Sequence, residues 1–420
     1  MDEHAILAEL RERVTAAHHE HRPLRLRGAG TKDFYGDGVH RDDGQHGQTL
    51  GSIASDGKES GRHASVGQES VRSASGGPAS GRDPALRGSL PEPELLDLRS
   101  YRGIVDYEPS ELVITARCGT PLSEIEAVLA DHGQFLAFEP PAFGADPTLG
   151  GIIAAGLSGP RRMYAGAARD FVLGTRLLDA RGEVLRFGGQ VMKNVAGFDV
   201  SRLLCGSLGI LGVITEVSLK VLPRPRAEET LRFEMRARDA IEAFNRWSGQ
   251  PLPLSGAAWW AGVAWVRLSG AAAAVRAARE RLGGEHVDAA SASHWWNALR
   301  HCAHPVFESS TLWRLSVPDT SPPLELPGEP LIDWGGALRW YAGDMRSPGG
   351  GSALAATPAG KQPDVREVAS AAGGTASCWR GISPPGGRFH PLRPAVAALH
   401  RRLKDRFDPH GIFNPGRMIA

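Results

Sequence analysis

The chain has 420 residues, 41% of them hydrophobic, with 48 basic and 47 acidic side chains and a formal charge of +1. That length exceeds one comfortable hydrophobic core, so two folding units are expected, and the balanced charge excludes the basic field of a nucleic-acid binder. No apolar run approaches the ~20 residues of a membrane-spanning helix, and the opening MDEHAILAEL is too charged for a signal peptide.

Residues 5–14 place Ile6, Leu7, Leu10 and Val14 on one helical face. Leu24, Arg25, Leu26 and Arg27 then alternate as a strand and break at Gly28, Ala29, Gly30, Thr31 and Lys32. Small residues there let successive backbone N–H groups converge on an anion, with Arg27, Thr31 and Lys32 adding charge and a hydroxyl. From 38 to 92 the composition changes to Gly, Ser, Arg, His and Asp with almost no large apolar residues. Such a stretch buries too little surface to offset its ordering entropy, so a disordered insert is expected, with a partner-binding segment as the alternative. Order resumes at 95–98 and in a strand at 112–116. Thr120 as cap and Pro121 as first helical residue open a helix that buries Leu122, Ile125, Val128 and Leu129 and stops at Gly133.

A second Gly-rich loop runs through Pro147, Thr148, Leu149, Gly150 and Gly151 into a small-residue helix reaching Gly156, followed by Ser158, Gly159, Pro160, Arg161 and Arg162. A Gly pair at a helix start allows backbone to close on phosphate at the positive end of the helix. The third segment holds Lys193-Asn194, an Ala196-Gly197-Phe198-Asp199 turn and glycines 206, 209 and 212, three residues apart. The strand after it puts Val213, Thr215, Val217, Leu219 and Val221 on one face and Ile214, Glu216, Ser218 and Lys220 on the other. None of the three loops matches GxGxxG or GxxxxGK[ST], and each alone reads as an ordinary turn.

Pro223 and Pro225 mark a stiff boundary, beyond which lie all ten tryptophans. They read either as core or as the lining of a pocket, core being the usual fate of a single Trp. Residues 264–268 and 312–317 alternate as paired strands, and 333–340 reads as a third strand kinked at Gly335-Gly336. The four cysteines, 118, 205, 302 and 378, form no CxxC; free thiols in a reducing, cytoplasmic compartment are expected, without disulfides or an iron–sulfur centre. No metal is expected either, since His18, His19 and His21 read as solvated surface on a polar helix end.

Taken together, RGAGTK, TLGGIIAAGLSGPRR, KNVAGFDVSRLLCGSLGILGVITEVSLKVLPRP and the tail FDPHGIFNPGRM resemble the FAD-binding family of the vanillyl-alcohol oxidase (PCMH) type. Within it, RGIVDYEPSELVITARCGTPLSEIEAVLADHGQ and LPGEPLIDWGGALRW are similar to the FAD-binding subunits of bacterial glycolate oxidases. The resemblance implies an α+β chain: a two-part α/β FAD-binding domain at 1–226 interrupted by the insert 38–92, an abbreviated α+β cap at 227–395, and a segment at 396–420 that returns to the flavin domain. FAD would contact Arg27, Gly28, Ala29, Gly30, Thr31 and Lys32 in the first loop and Pro147, Thr148, Leu149, Gly150, Gly151, Gly156, Ser158 and Gly159 in the second. Gly212, Val213 and Ile214 would pack on adenine, and Asn414 would come from the returning tail.

The resemblance further implies oxidation of a small 2-hydroxyacid, glycolate or D-lactate, to the 2-oxoacid. Its partners would be a second flavoprotein subunit and an iron–sulfur subunit, with peripheral attachment of the complex at the inner face of the cell membrane. The chain also departs from the pattern. Thr31 stands where many members carry a flavin-tethering histidine, so noncovalent FAD is expected, and the Gly-Asp-Gly-Asn motif of catalytic members is missing. A noncatalytic FAD-binding or assembly subunit therefore stays open as the alternative. Arg314 and Arg339 are the candidates for a substrate carboxylate, structural ion pairs being the other reading of each; no residue is nominated as base.

Overall fold

The structure, a computed structural model, describes residues 2–37, 92–144, 146–189, 199–343 and 364–419. The insert expected at 38–92 lies, but for Glu92, outside the described residues, as do Lys193, Asn194 and the 196–198 part of the turn after them.

The N-terminal half opens with α1 (Glu3–Glu20), which buries Leu10, Val14 and Ala17, four and then three residues apart, as a 3.6-residue period requires. Strands β1 (Leu24–Arg27) and β2 (Glu94–Asp97) then pair in parallel, Leu24 opposite Glu94. They are followed by β3 (Ile104–Glu108), β4 (Val113–Arg117), α2 (Leu122–Asp131), the short β5 (Gln134–Phe135), α3 (Leu149–Ala155), α4 (Arg162–Ala165) and α5 (Ala168–Phe171). Next come β6 (Val172–Leu178), β7 (Val184–Gly188), α6 (Val200–Leu204), β8 (Val213–Lys220) and β9 (Leu222–Pro223). A five-stranded antiparallel sheet takes the order β3-β4-β8-β6-β7. Strand β8 is central, which is why seven of its eight residues are buried. Ile125 and Leu129 of α2 and Ile152 and Ile153 of α3 close over it.

Two expectations change here. Pro121, not Thr120, is the residue preceding α2, and the Thr120 hydroxyl accepts the Gly103 N–H at 2.9 Å instead. In β8 the strict alternation fails, because a bulge against β6 shifts register between Arg176 and Leu177. Ile214 consequently joins Val217, Leu219 and Val221 in the sheet core, while Val213 turns toward α1 and β1.

The second half contains β10 (Ala227–Glu234), α7 (Ala237–Ser248), β11 (Leu254–Trp260), β12 (Val263–Gly270), α8 (Ala272–Leu282), β13 (Glu285–Val287) and α9 (Ala289–Arg300). It continues through β14 (Leu312–Ser316), β15 (Leu331–Asp333), β16 (Leu338–Ala342), α10 (Val365–Ala371) and β17 (Thr375–Arg380). One eight-stranded sheet unites these strands in the order β13-β10-β12-β11-β15-β16-β14-β17. The single kinked strand expected at 333–340 is two strands with a 3₁₀ turn, Trp334–Gly336, between them. Eight of the ten tryptophans are buried, so the cap core is built largely from indoles.

The halves are joined by a buried ionic knot. Arg161 donates to Glu139 at 2.9 Å and also reaches Glu228, while Arg267 of β12 meets the same Glu139 at 3.0 Å. The chain then returns: α11 (Pro394–Phe407) leads to Asp408, whose carboxylate accepts the N–H groups of Ile412 and Phe413. That turn sets Phe413 beside Leu24 at the edge of β1, with Leu24 donating to Ile412 at 2.7 Å and Asn414 to Leu24 at 2.9 Å.

Candidate functional site

Strand β1 ends where α3 begins. The Gly28 position explains the approach: a side chain there would land on the Thr148 hydroxyl. Gly30, at φ +75°, turns the loop back. Between this loop, the start of α3, the glycine run before β8 and the returning tail lies an open cleft.

Of the residues singled out in the sequence, Arg27, Gly28, Ala29, Gly30, Thr31, Lys32, Thr148, Gly150, Gly151, Gly212, Ile214 and Asn414 line this cleft. Pro147, Leu149, Gly156, Ser158, Gly159 and Val213 are not among its walls. Leu149 and Val213 are core residues, and Gly156 ends α3 in a left-handed conformation against the Gly206 backbone. The Ser158 hydroxyl accepts the Ala168 N–H at 2.9 Å, and the Gly159 carbonyl accepts the Trp334 indole N–H at 3.0 Å, so both serve local structure and the seam with the cap. Gly150 has a further structural duty, since its N–H is already given to Cys118 at 2.8 Å and a Cβ there would press on Cys118. Gly151 is different: the nearest atom to an added Cβ is the Thr148 hydroxyl at 3.3 Å.

Charge is unevenly spent around the cleft. Arg27 is 40% exposed and paired with Asp33 at 3.1 Å, so it is a rim residue. Lys32 is only 7% exposed, and among the described residues its ammonium has no carboxylate partner. It donates to the Thr31 hydroxyl at 3.2 Å, lies 5.5 Å from the centre of the Phe143 ring, and is pushed down by burial to about 8. A buried ammonium without a counter-ion is costly unless an anion joins it. Asn414 is fully engaged as a clamp: its Oδ1 accepts the Leu26 N–H and its Nδ2 donates to the Leu208 carbonyl, both at 2.8 Å. Arg417, which sequence reasoning missed, lines the cleft and donates to the Lys32 carbonyl at 2.9 Å. Gly209 was missed as a wall residue too, although its three-residue spacing from Gly206 and Gly212 was visible.

The two carboxylate candidates separate. Arg339 is fully buried, donates to the carbonyls of Gly336 and Ser321 at 2.6 and 2.8 Å, and sits opposite Leu315 in the ladder. It is a structural residue, and burial lowers it to about 10. Arg314 is half-buried, opposite Trp340, and therefore on the other face of the same sheet. Among the described residues no group of three His, Cys, Asp or Glu is arranged to hold a metal ion, and no histidine or cysteine lines the cleft.

Comparison with known proteins agrees with this geometry. Residues 79–188 match the family model described as "FAD binding domain", and residues 392–418 match "FAD linked oxidases, C-terminal domain". The glycolate oxidase subunit GlcE of Escherichia coli K12 is 49% identical over 328 residues, covering 78% of this chain and 87% of that protein. The chain belongs to the GlcE family. The glycolate oxidase subunit GlcD of Bacillus subtilis is 33% identical over 128 residues, which is 30% of this chain and 27% of that one. Among solved structures, an alkyldihydroxyacetonephosphate synthase shares the fold at TM-score 0.51 and 16% identity, covering 77% of this chain and 67% of its own. As a GlcE-family chain the protein is an FAD-dependent oxidoreductase subunit, and the Gly-lined cleft with its buried Lys32 fits that cofactor. No helix among the described residues is long and apolar enough to cross a membrane.

Proposed function

We propose that this chain carries noncovalent FAD in a heteromeric enzyme that oxidises glycolate or D-lactate to the 2-oxoacid. The observation that carries the reading is Lys32, a buried ammonium lacking a counter-ion among the described residues, in a cleft walled by three glycine-rich loops. Gly28 and Gly151 would give the close backbone approach and Lys32 and Arg417 would supply positive charge to a bound pyrophosphate, while Asn414 holds the walls together. Bound FAD would supply the acceptor for the two electrons leaving the α-carbon. A wall without histidine or cysteine among the described residues supports noncovalent retention. An FAD-binding domain at 1–226, a cap at 227–395 and a returning segment at 396–420 are the division that the two sheets and the C-terminal hook support. The word "subunit" in the names of the GlcE and GlcD relatives implies a multi-subunit enzyme. We assign as partners a second flavoprotein subunit and an iron–sulfur subunit, attached peripherally to the inner face of the membrane.

Purified chain should show a flavin spectrum, and anaerobic glycolate should bleach it, alone or only after the partner subunits are added. A chain that takes up no FAD under any condition refutes the proposal. Flavin that binds but never bleaches, even in the full complex, supports the noncatalytic assembly role instead, an alternative favoured by the missing Gly-Asp-Gly-Asn motif.

A further inference from the structure

Arg162 and Arg314 stand apart from their neighbours at the seam between the two halves. Arg161, Arg267 and Arg300 each meet a carboxylate, at Glu139 and Glu228, Glu139, and Glu126 respectively. The side chains of Arg162 and Arg314 make no ion pair and no hydrogen bond among the described residues. Instead both guanidinium groups pack on one indole: their central carbons lie 4.3 and 5.1 Å from the Trp334 ring, and Arg314 is also 5.7 Å from Trp340.

The indole is held in place from three directions. The Trp334 N–H donates to Asp333 at 2.7 Å, its ring N–H donates to Gly159 at 3.0 Å, and its backbone sits at φ +53°. A left-handed tryptophan is strained, and such strain gathers where a side chain must be aimed. Burial pushes both arginines down, and each neighbouring positive charge adds to this for Arg162. Two half-buried cations sharing a floor repel each other, and a bidentate anion relieves both the repulsion and the lost hydration.

The seat also adjoins the cofactor loop. Tyr35, three residues after Lys32, packs at a tilt against Trp379 with ring centres 5.0 Å apart, and Trp379 meets Trp340 at 5.1 Å. Asp333, buried at the foot of Trp334, disfavours a second negative charge on whatever binds there.

We propose that Arg162, from the flavin-binding half, and Arg314, from the cap, together seat the carboxylate of a small 2-hydroxy- or 2-oxoacid over Trp334. The seat rests on the glycolate reading for its ligand class but not for its existence as an anion site. It requires both halves of the chain, so ligand binding there reports on their docking as well.

The test uses the FAD-loaded protein and measures binding by calorimetry and tryptophan fluorescence, without turnover. Glyoxylate should bind, with fluorescence changing because Trp334 is the floor, whereas ethylene glycol, which has no carboxylate, should not. Arg162→Gln and Arg314→Gln should each weaken glyoxylate at least tenfold with FAD content unchanged, and Arg314→Lys should recover part of the loss. Arg236→Gln, paired with Asp239 on the surface of α7, should bind like the parent chain. Equal binding of glyoxylate and ethylene glycol by the parent protein overturns the seat without any variant. Retained affinity in both Gln variants also overturns it, as does inorganic phosphate binding more tightly than glyoxylate. FAD-loaded protein that binds no glyoxylate sinks the seat alone, whereas protein that never loads FAD sinks the functional reading beneath it.

Discussion

Replacing Lys32 by methionine should stabilise the FAD-free protein and weaken FAD, two effects of opposite sign from one atom. The ammonium is 7% exposed and is driven by burial from 10.5 to about 8. At ~1.4 kcal/mol per pKa unit, keeping it charged at pH 7 costs the empty fold about 3 kcal/mol. Methionine matches the length of the stem and removes that cost, so the FAD-free unfolding midpoint should rise by ~5 °C. The sign follows from linkage. The folded-state value lies below the unfolded one, so the penalty is complete below pH 8 and fades as pH rises from about 8 to 10.5. FAD-free parent protein should therefore gain stability across that window, and Lys32→Met should not. With FAD present the order reverses, because a charge-assisted contact of ~1.5–3 kcal/mol disappears and affinity should drop roughly 10–100-fold. Scanning calorimetry from pH 7 to 10.5 and flavin-fluorescence titration at pH 7 supply both numbers. A Lys32→Met chain that is less stable without FAD, or that binds FAD as tightly as the parent, would refute the reasoning.

Gly151→Val should fold yet purify largely colourless, because its branched side chain enters the cleft beside Thr148. Gly249→Ala, at φ −79° with nothing closer than 3.7 Å to the added carbon, should keep its flavin, and equal colour in the two would remove Gly151 from the site. Arg339→Leu strands the Gly336 and Ser321 carbonyls in the cap core, so stability should fall by about 2–4 kcal/mol while FAD content per folded molecule stays constant. A change in glyoxylate affinity without loss of stability would contradict that structural role. Acid or heat denaturation should release all the flavin into the supernatant, and fluorescence left on the precipitated polypeptide would show a covalent link.

The convergence of three loops was legible because glycine marks places where backbone must come close, and Gly28 against Thr148 shows that signal at work. What composition could not reveal is which polar groups are already occupied. Gly150 looked equivalent to Gly151, but its N–H is committed to Cys118. Asn414 looked like a ligand-facing residue, whereas its amide spans Leu26 and Leu208. Strand parity decided two more cases. Arg339 and Trp340 are adjacent in sequence and so face opposite sides of one sheet, which separates Arg339 from Arg314. The bulge opposite Arg176 is a tertiary event with no local sequence mark, and it turned Ile214 into the core. Lys32 and Arg417 show the same limit from another side, since their burial depends on a tail that arrives from the far end of the chain.

That distant arrival has a consequence for biosynthesis. The amide of Asn414 closes on Leu26 from 388 residues further along the chain, and Arg417 completes the same wall. At about 5–20 residues per second of translation, roughly 20–80 s separate the synthesis of the first loop from that of its clamp. During that interval the first loop and the α3 start can approach each other, yet the cleft lacks one side and the cation Lys32 faces open water. Cofactor capture is thereby postponed until residues 414–417 have been made, and a message cut short before them would yield protein unable to retain flavin.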